Sequence, residues 1–136
     1  MDLDTKHWIE GTVVRGLGKG RELGFPTANL VLARPSEKPR EGIWACWVKL
    51  EASSSTLYRA VLHVGPRPTI EGASDSVEVH IIGETAIDLY DKKLWFSPTT
   101  FLRDIKKFNS LEELTTAIQG DVQQAVLVLH QSAAFF

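Results

Sequence analysis

The sequence predicts a mainly β protein, a small antiparallel β-barrel carrying one C-terminal α-helix. Three observations point there. The middle of the chain breaks into short segments rich in β-branched and aromatic residues: IWACWVKL (43–50), LYRAVLHV (57–64), VEVHII (77–82), TAIDLY (85–90) and KLWFSPTTFL (93–102). Turn-forming stretches, ASSST, GPRPT, EGASDS and DKK, separate them. The last third then changes to a helical period.

Each element has its own signature. Some strand segments alternate apolar with polar residues. IWACWV is apolar on both faces, as a barrel strand under a covering element requires. No period of 20 to 50 residues repeats, which excludes solenoids and propellers. For the helix, Ser110 precedes Glu113 by three residues, a capping box, and Glu112 adds negative charge at the positive end of the dipole. Leu111, Leu114, Ala117, Ile118, Val122, Ala125, Val126 and Leu129 then recur by threes and fours, predicting a helix over about 110–130. Gly120 inside it costs about 1 kcal/mol relative to Ala.

A chain of 136 residues is expected to form a single domain, 1–136 with its core at about 10–130. Its formal net charge of -2 lacks the basic excess of a general nucleic-acid binder, so a local basic cluster points instead to a small anionic ligand. Cys46 is the one cysteine and lies in the apolar run, so a buried, inert thiol is expected and no intrachain disulfide can form. The N-terminus lacks a signal-peptide layout, and no apolar run approaches the roughly 20 residues that span a bilayer. The expected state is a monomer in the cytoplasm, with an organelle the alternative, and no membrane or nucleic-acid partner. The histidines at 7, 63, 80 and 130 lack zinc-ligand spacing.

The most informative stretch is VRGLGKGRELGFPTANL (14–30), with four glycines and three positive charges in its first eleven residues. Glycines let backbone N–H groups approach an anion, and Arg15, Lys19 and Arg21 supply charge. Neither the dinucleotide fingerprint nor the P-loop is present, because Arg21 occupies the last glycine position of the first and the second has no match. A phosphate bound here is bound by a barrel-mounted loop; a hairpin tip with solvated charges is the plainer alternative. Thr27 and Asn29 offer a hydroxyl and an amide oxygen two residues apart, hard donors that suit Mg²⁺ and equally suit a local turn. In VEVHII, Glu78 and His80 share one strand face, with Cα atoms roughly 7 Å apart. A carboxylate there serves as a general base or as half of a cross-strand ion pair. Arg103, Lys106 and Lys107 fall in the loop before the helix, which can close over a ligand or stay solvated.

These residues together resemble the riboflavin kinase family. The pattern G-x-V-x-x-G-x-x-x-G-R-x-L-G-F-P-T-A-N is met from Gly11 to Asn29, followed by Gly42-Ile43-Trp44-Ala45, Val64-Gly65, Arg67-Pro68-Thr69, Val77-Glu78-Val79-His80-Ile81, Asp88-Leu89-Tyr90, Phe101-Leu102-Arg103 and Lys107 to Leu114. The match is collinear over roughly residues 10–126. It implies a six-stranded Greek-key barrel with a terminal helix, and transfer of the ATP γ-phosphoryl group to the 5′-hydroxyl of riboflavin, giving FMN and ADP. It also implies a loop over the nucleotide phosphates built by Gly16, Gly18, Lys19, Gly20, Arg21 and Gly24. Pro26 follows that loop, Thr27 and Asn29 bind Mg²⁺ (or Zn²⁺ or Mn²⁺) and phosphate, Glu78 is the catalytic base, and Arg103 stands on the flavin side. Two positions depart from the pattern: Asp91 stands where Gly is frequent, and His63 where Asn or Ser is usual. Bacterial relatives often carry an FMN adenylyltransferase domain ahead of this one; without one, the expected product is FMN. The alternative function is a flavin or nucleotide carrier on the same barrel, which would need no base. An oligonucleotide-binding barrel would need Trp44, Trp47, Trp95 and Phe96 as open platforms, and the apolar surroundings of Trp44 and Trp47 point to packing instead.

Overall fold

The computed structural model describes residues 7–14, 27–69, 72–83 and 89–133. Six strands, β1 (Ile9–Val14), β2 (Ala28–Leu32), β3 (Gly42–Lys49), β4 (Tyr58–Thr69), β5 (Gly72–Ile81) and β6 (Lys93–Arg103), precede one helix, α1 (Leu111–Ala133). The strands pair antiparallel around a closed barrel in the order β1-β2-β5-β4-β3-β6, which is the expected class. Closure leaves the sheet without a free edge strand.

Alternation sorts the side chains into two cores. Val13, Leu30, Leu62, Val64, Val77, Val79, Leu94 and Phe96 are among those that fill the barrel. On the outer wall, Ile43, Ala45, Trp47 and Val61 pack under Ala125 and Leu129 of α1. β3 therefore buries both faces, with Cys46 and Val48 inside and Ile43, Ala45 and Trp47 beneath the helix. Burial at 0% exposure pushes the Cys46 thiol up, so it stays protonated and inert. The helix starts at the expected cap: the Glu113 N–H donates to Ser110 Oγ at 3.1 Å, while Glu113 Oε2 accepts from the N–H of Asn109, one residue before the cap, at 3.0 Å. In this first turn the apolar stripe fits loosely, since Leu111 remains 64% exposed.

Three local expectations change. GPRPT and the described part of EGASDS (72–76) are not loops, because β4 and β5 continue through them and pair as far as Thr69 and Gly72. Pro66 and Pro68 are compatible with that strand. They lie two apart, so their missing N–H groups fall on one side, and among the described residues β3 pairs with β4 only as far as Val64. Arg103 closes β6 rather than standing in the following loop. The strand expected over 85–90 lies mostly outside the described residues, and Leu89 and Tyr90 are not in a strand. They begin a turn in which the Lys92 N–H donates to the Leu89 carbonyl at 3.0 Å and Asp91 has φ 66, the left-handed conformation Asp tolerates.

The glycines of β3 and α1 make a contrast that can be measured. Gly42 has φ +146, and a Cβ there would clash with Cε2 of Phe101; a Cβ on Gly120 would meet nothing within 4 Å. Gly120→Ala should therefore raise stability by about 1 kcal/mol and the melting temperature by about 3–5 °C. Gly42→Ala should cost at least about 2 kcal/mol through strain and overpacking. Thermal unfolding of the two variants beside the parent checks both signs.

Candidate active site

Strand register builds the site. Asn29 on β2 pairs with Glu78 on β5, and Glu78 pairs with His63 on β4. The neighbours of each along its strand, Ala28 and Leu30, Val77 and Val79, and Leu62 and Val64, belong to the barrel interior. Asn29, Glu78 and His63 consequently project together from the outer wall, with adjacent Cβ atoms about 5 Å apart. Asn29 is buried at 8% exposure. The Glu78 carboxylate is 16% exposed, and its Oε2 lies 3.7 Å from Nδ1 of His63, whose side chain is 27% exposed. This is a half-buried polar row rather than a solvated face.

Thr27, exposed, immediately precedes β2, and continuing the β2–β5 register sets His80 across from it. The segment 15–26 joins Val14 to Thr27, and Val14 pairs with Asn29. Both of its ends are thus rooted beside this row. Gly16, Gly18, Lys19, Gly20, Arg21, Gly24 and Pro26 themselves lie outside the described residues. Among the described residues, no three His, Cys, Asp or Glu side chains gather into a metal-holding group. A cation at Thr27 and Asn29 would meet two neutral oxygens, a donor set suited to Mg²⁺ that takes its remaining ligands from phosphate and water.

Arg103 is set apart from these groups. Its row continues from His63 through Ile43 on β3 to Arg103 on β6, three strands beyond Glu78 and roughly 14 Å along the sheet. Its guanidinium forks onto Asp121 of α1, with Nε to Oδ1 and Nη2 to Oδ2 both at 2.8 Å, while Nη1 donates to the Asp104 carbonyl at 3.1 Å. The pair ties the helix to the end of β6. Asp121 had a signal in the sequence: it interrupts the apolar stripe between Ile118 and Ala125, where only a paired charge is tolerated. His63 stood out only as a departure from the family pattern, since its neighbour depends on register.

A rigid barrel wall that sets a carboxylate beside an amide, at the root of a glycine-rich basic segment, has the parts of a small-molecule phosphotransferase. The family model described as Flavokinase: Riboflavin kinase matches residues 3–129. The mouse riboflavin kinase is 36% identical over 122 residues, covering 87% of this chain and 77% of that protein. Among solved structures, riboflavin kinase from Trypanosoma brucei superposes with a TM-score of 0.61 at 24% identity, over 90% of this chain and 79% of that one, which supports the fold. A structure described as a macrolide-efflux protein from Streptococcus pneumoniae superposes with a TM-score of 0.75 at 30% identity, over 89% of this chain but 38% of that one. The chain belongs to the riboflavin kinase family. It is a kinase that transfers a phosphoryl group from ATP to riboflavin.

The Arg103–Asp121 pair can be tested directly. With side-chain exposures of 20% and 9%, it is mostly desolvated. Asp121→Ala, which strands the guanidinium, should lower stability by about 2–3 kcal/mol, and Arg103→Met/Asp121→Leu should recover most of that loss. Urea unfolding of the single and double variants reads the difference.

Proposed function

We propose that Glu78 is the base that accepts the proton of the riboflavin 5′-hydroxyl as that oxygen attacks the γ-phosphorus of ATP. The observation that supports this is the Asn29–Glu78 register pair, which sets a carboxylate beside the amide that this reading assigns to the metal and phosphates. Thr27 and Asn29 would hold Mg²⁺ through the hydroxyl and amide oxygens, and the ion supplies charge neutralisation to the triphosphate when bound. The basic glycine segment, with Gly16, Gly18, Lys19, Gly20, Arg21, Gly24 and Pro26, binds the phosphates through N–H groups and cationic side chains. Arg103 serves the flavin side indirectly, by pinning residues 104–110 between β6 and α1 while its fork stays on Asp121.

In the transfer step the hydroxyl O–H bond breaks toward the Glu78 carboxylate, a new O–P bond forms, and ADP leaves. Phosphoryl transfer asks a protein mainly for positioning and electrostatics, and one oriented carboxylate is enough to guide the nucleophile. Half-burial keeps Glu78 from being swamped by water, while its ordinary strand backbone keeps it in place.

Glu78→Gln preserves shape and removes the proton acceptor. Turnover of riboflavin to FMN should fall roughly 10²–10⁴-fold with riboflavin and MgATP binding retained. Chromatographic FMN assays with the pure protein check this, and undiminished turnover removes Glu78 from the role. Asn29→Ala should raise the KM for MgATP about tenfold or more, the scale of one lost contact to a charged ligand, and should shift the Mg²⁺ requirement. An unchanged Mg²⁺ titration would refute the metal assignment.

A further inference from the structure

His63 stands one strand from Glu78 on the side opposite Asn29. Its far flank is taken by Ile43, which is 4% exposed and packed beneath α1. The imidazole is therefore bracketed by an apolar side chain and a carboxylate on a wall whose backbone is fixed by strand pairing on both sides. A lysine in this place would bring a long, mobile stem. Histidine has only two side-chain torsions, so it can hold a neighbour in position at small entropic cost.

Nδ1 of His63 lies 3.7 Å from Oε2 of Glu78, beyond hydrogen-bond distance. Contacts of this sort commonly shorten when substrates fill a site. A neutral ring with its proton on Nδ1 serves this purpose and places no fixed cation beside the carboxylate. With Oε2 committed to the imidazole, proton transfer falls to Oε1.

We propose that His63 is a positioning residue for phosphoryl transfer: it holds the Glu78 carboxylate by Oε2 so that Oε1 meets the acceptor hydroxyl. This rests on Glu78 being the base. His63 touches the carboxylate and none of the reacting atoms, so its influence passes through Glu78 alone. It fixes the rotation of the base, not the affinity for either substrate.

The test is a small mutant cycle assayed for FMN formation, with KM measured for riboflavin and MgATP. His63→Leu should lower kcat roughly 10- to 100-fold, the scale of a slightly misplaced reacting group, with both KM values within about twofold. His63→Asn keeps an N–H donor near the place of Nδ1 and should restore kcat to within about threefold of the parent. In the Glu78→Gln background His63→Leu should cost nothing further, because no base remains to be oriented. His63→Val, a good strand former, supplies a second variant without a donor should the leucine protein fold poorly. Parental kcat in both non-donor variants overturns the proposal, as do an asparagine variant no better than leucine and losses that multiply in the double variant. Parental turnover by Glu78→Gln alone instead removes the base assignment, whatever His63 does, which keeps the two failures apart.

Discussion

The register of β2 against β5, and of β5 against β4, is the constraint on which the site depends. Side chains alternate across a strand, so a slip of one residue would turn Glu78 into the barrel and put Val77 or Val79 on the wall. Val77 and Val79 are 7% and 1% exposed, and exposing them while burying a carboxylate would cost several kcal/mol. The apolar pattern that closes the barrel therefore also aims Asn29, Glu78 and His63 outward. Nothing in the site needs separate instructions to face the right way.

The same wall carries the helix. Ile43 sits next to His63 on one side and Arg103 on the other, and it packs beneath Ala125 and Leu129. At that end of β3 the backbone is pinned again, because Gly42 receives the Phe101 ring where any side chain would clash. The ring is gripped edge-on by Trp44 at 5.3 Å and covered by the Arg40 guanidinium at 4.1 Å. Arg103, forked onto Asp121, adds a polar tie to this apolar seam. One continuous layer thus runs from the carboxylate to the helix core, and β3, buried on both faces, is the strand that joins the two.

Elements set by local chemistry were the most legible in the sequence. Ser110 and Glu113 mark the helix start because a cap is a contact between residues three apart, and IWACWV shows its two-faced burial by composition alone. The ends of β4 and β5 were hidden for a different reason. Pro66, Pro68 and Gly72 carry turn chemistry, yet the ladder between these two consecutive strands runs out to Thr69 and Gly72 and overrides it. Thr27, Asn29 and Glu78 were legible as residue types but not as neighbours, since adjacency belongs to the register. His63 and the partner of Arg103 needed the folded wall for the same reason. The buried Asp121, breaking an apolar stripe, was the one visible hint of that second pair.

The charge balance of this wall explains why its parts are divided as they are. Asn29 and Thr27 bring no charge, while Glu78 brings a negative one to the place where, on the proposed reading, a polyanionic nucleotide sits. Two like charges at about 5 Å in a half-buried setting repel by several kcal/mol unless cations intervene. On the proposed reading that compensation comes with the metal and from the basic side chains of the glycine-rich segment. A wall carrying its own fixed cation beside Glu78 would neutralise the carboxylate in advance and make it a poorer base. A histidine contact at 3.7 Å, one that orients more than it neutralises, meets both demands.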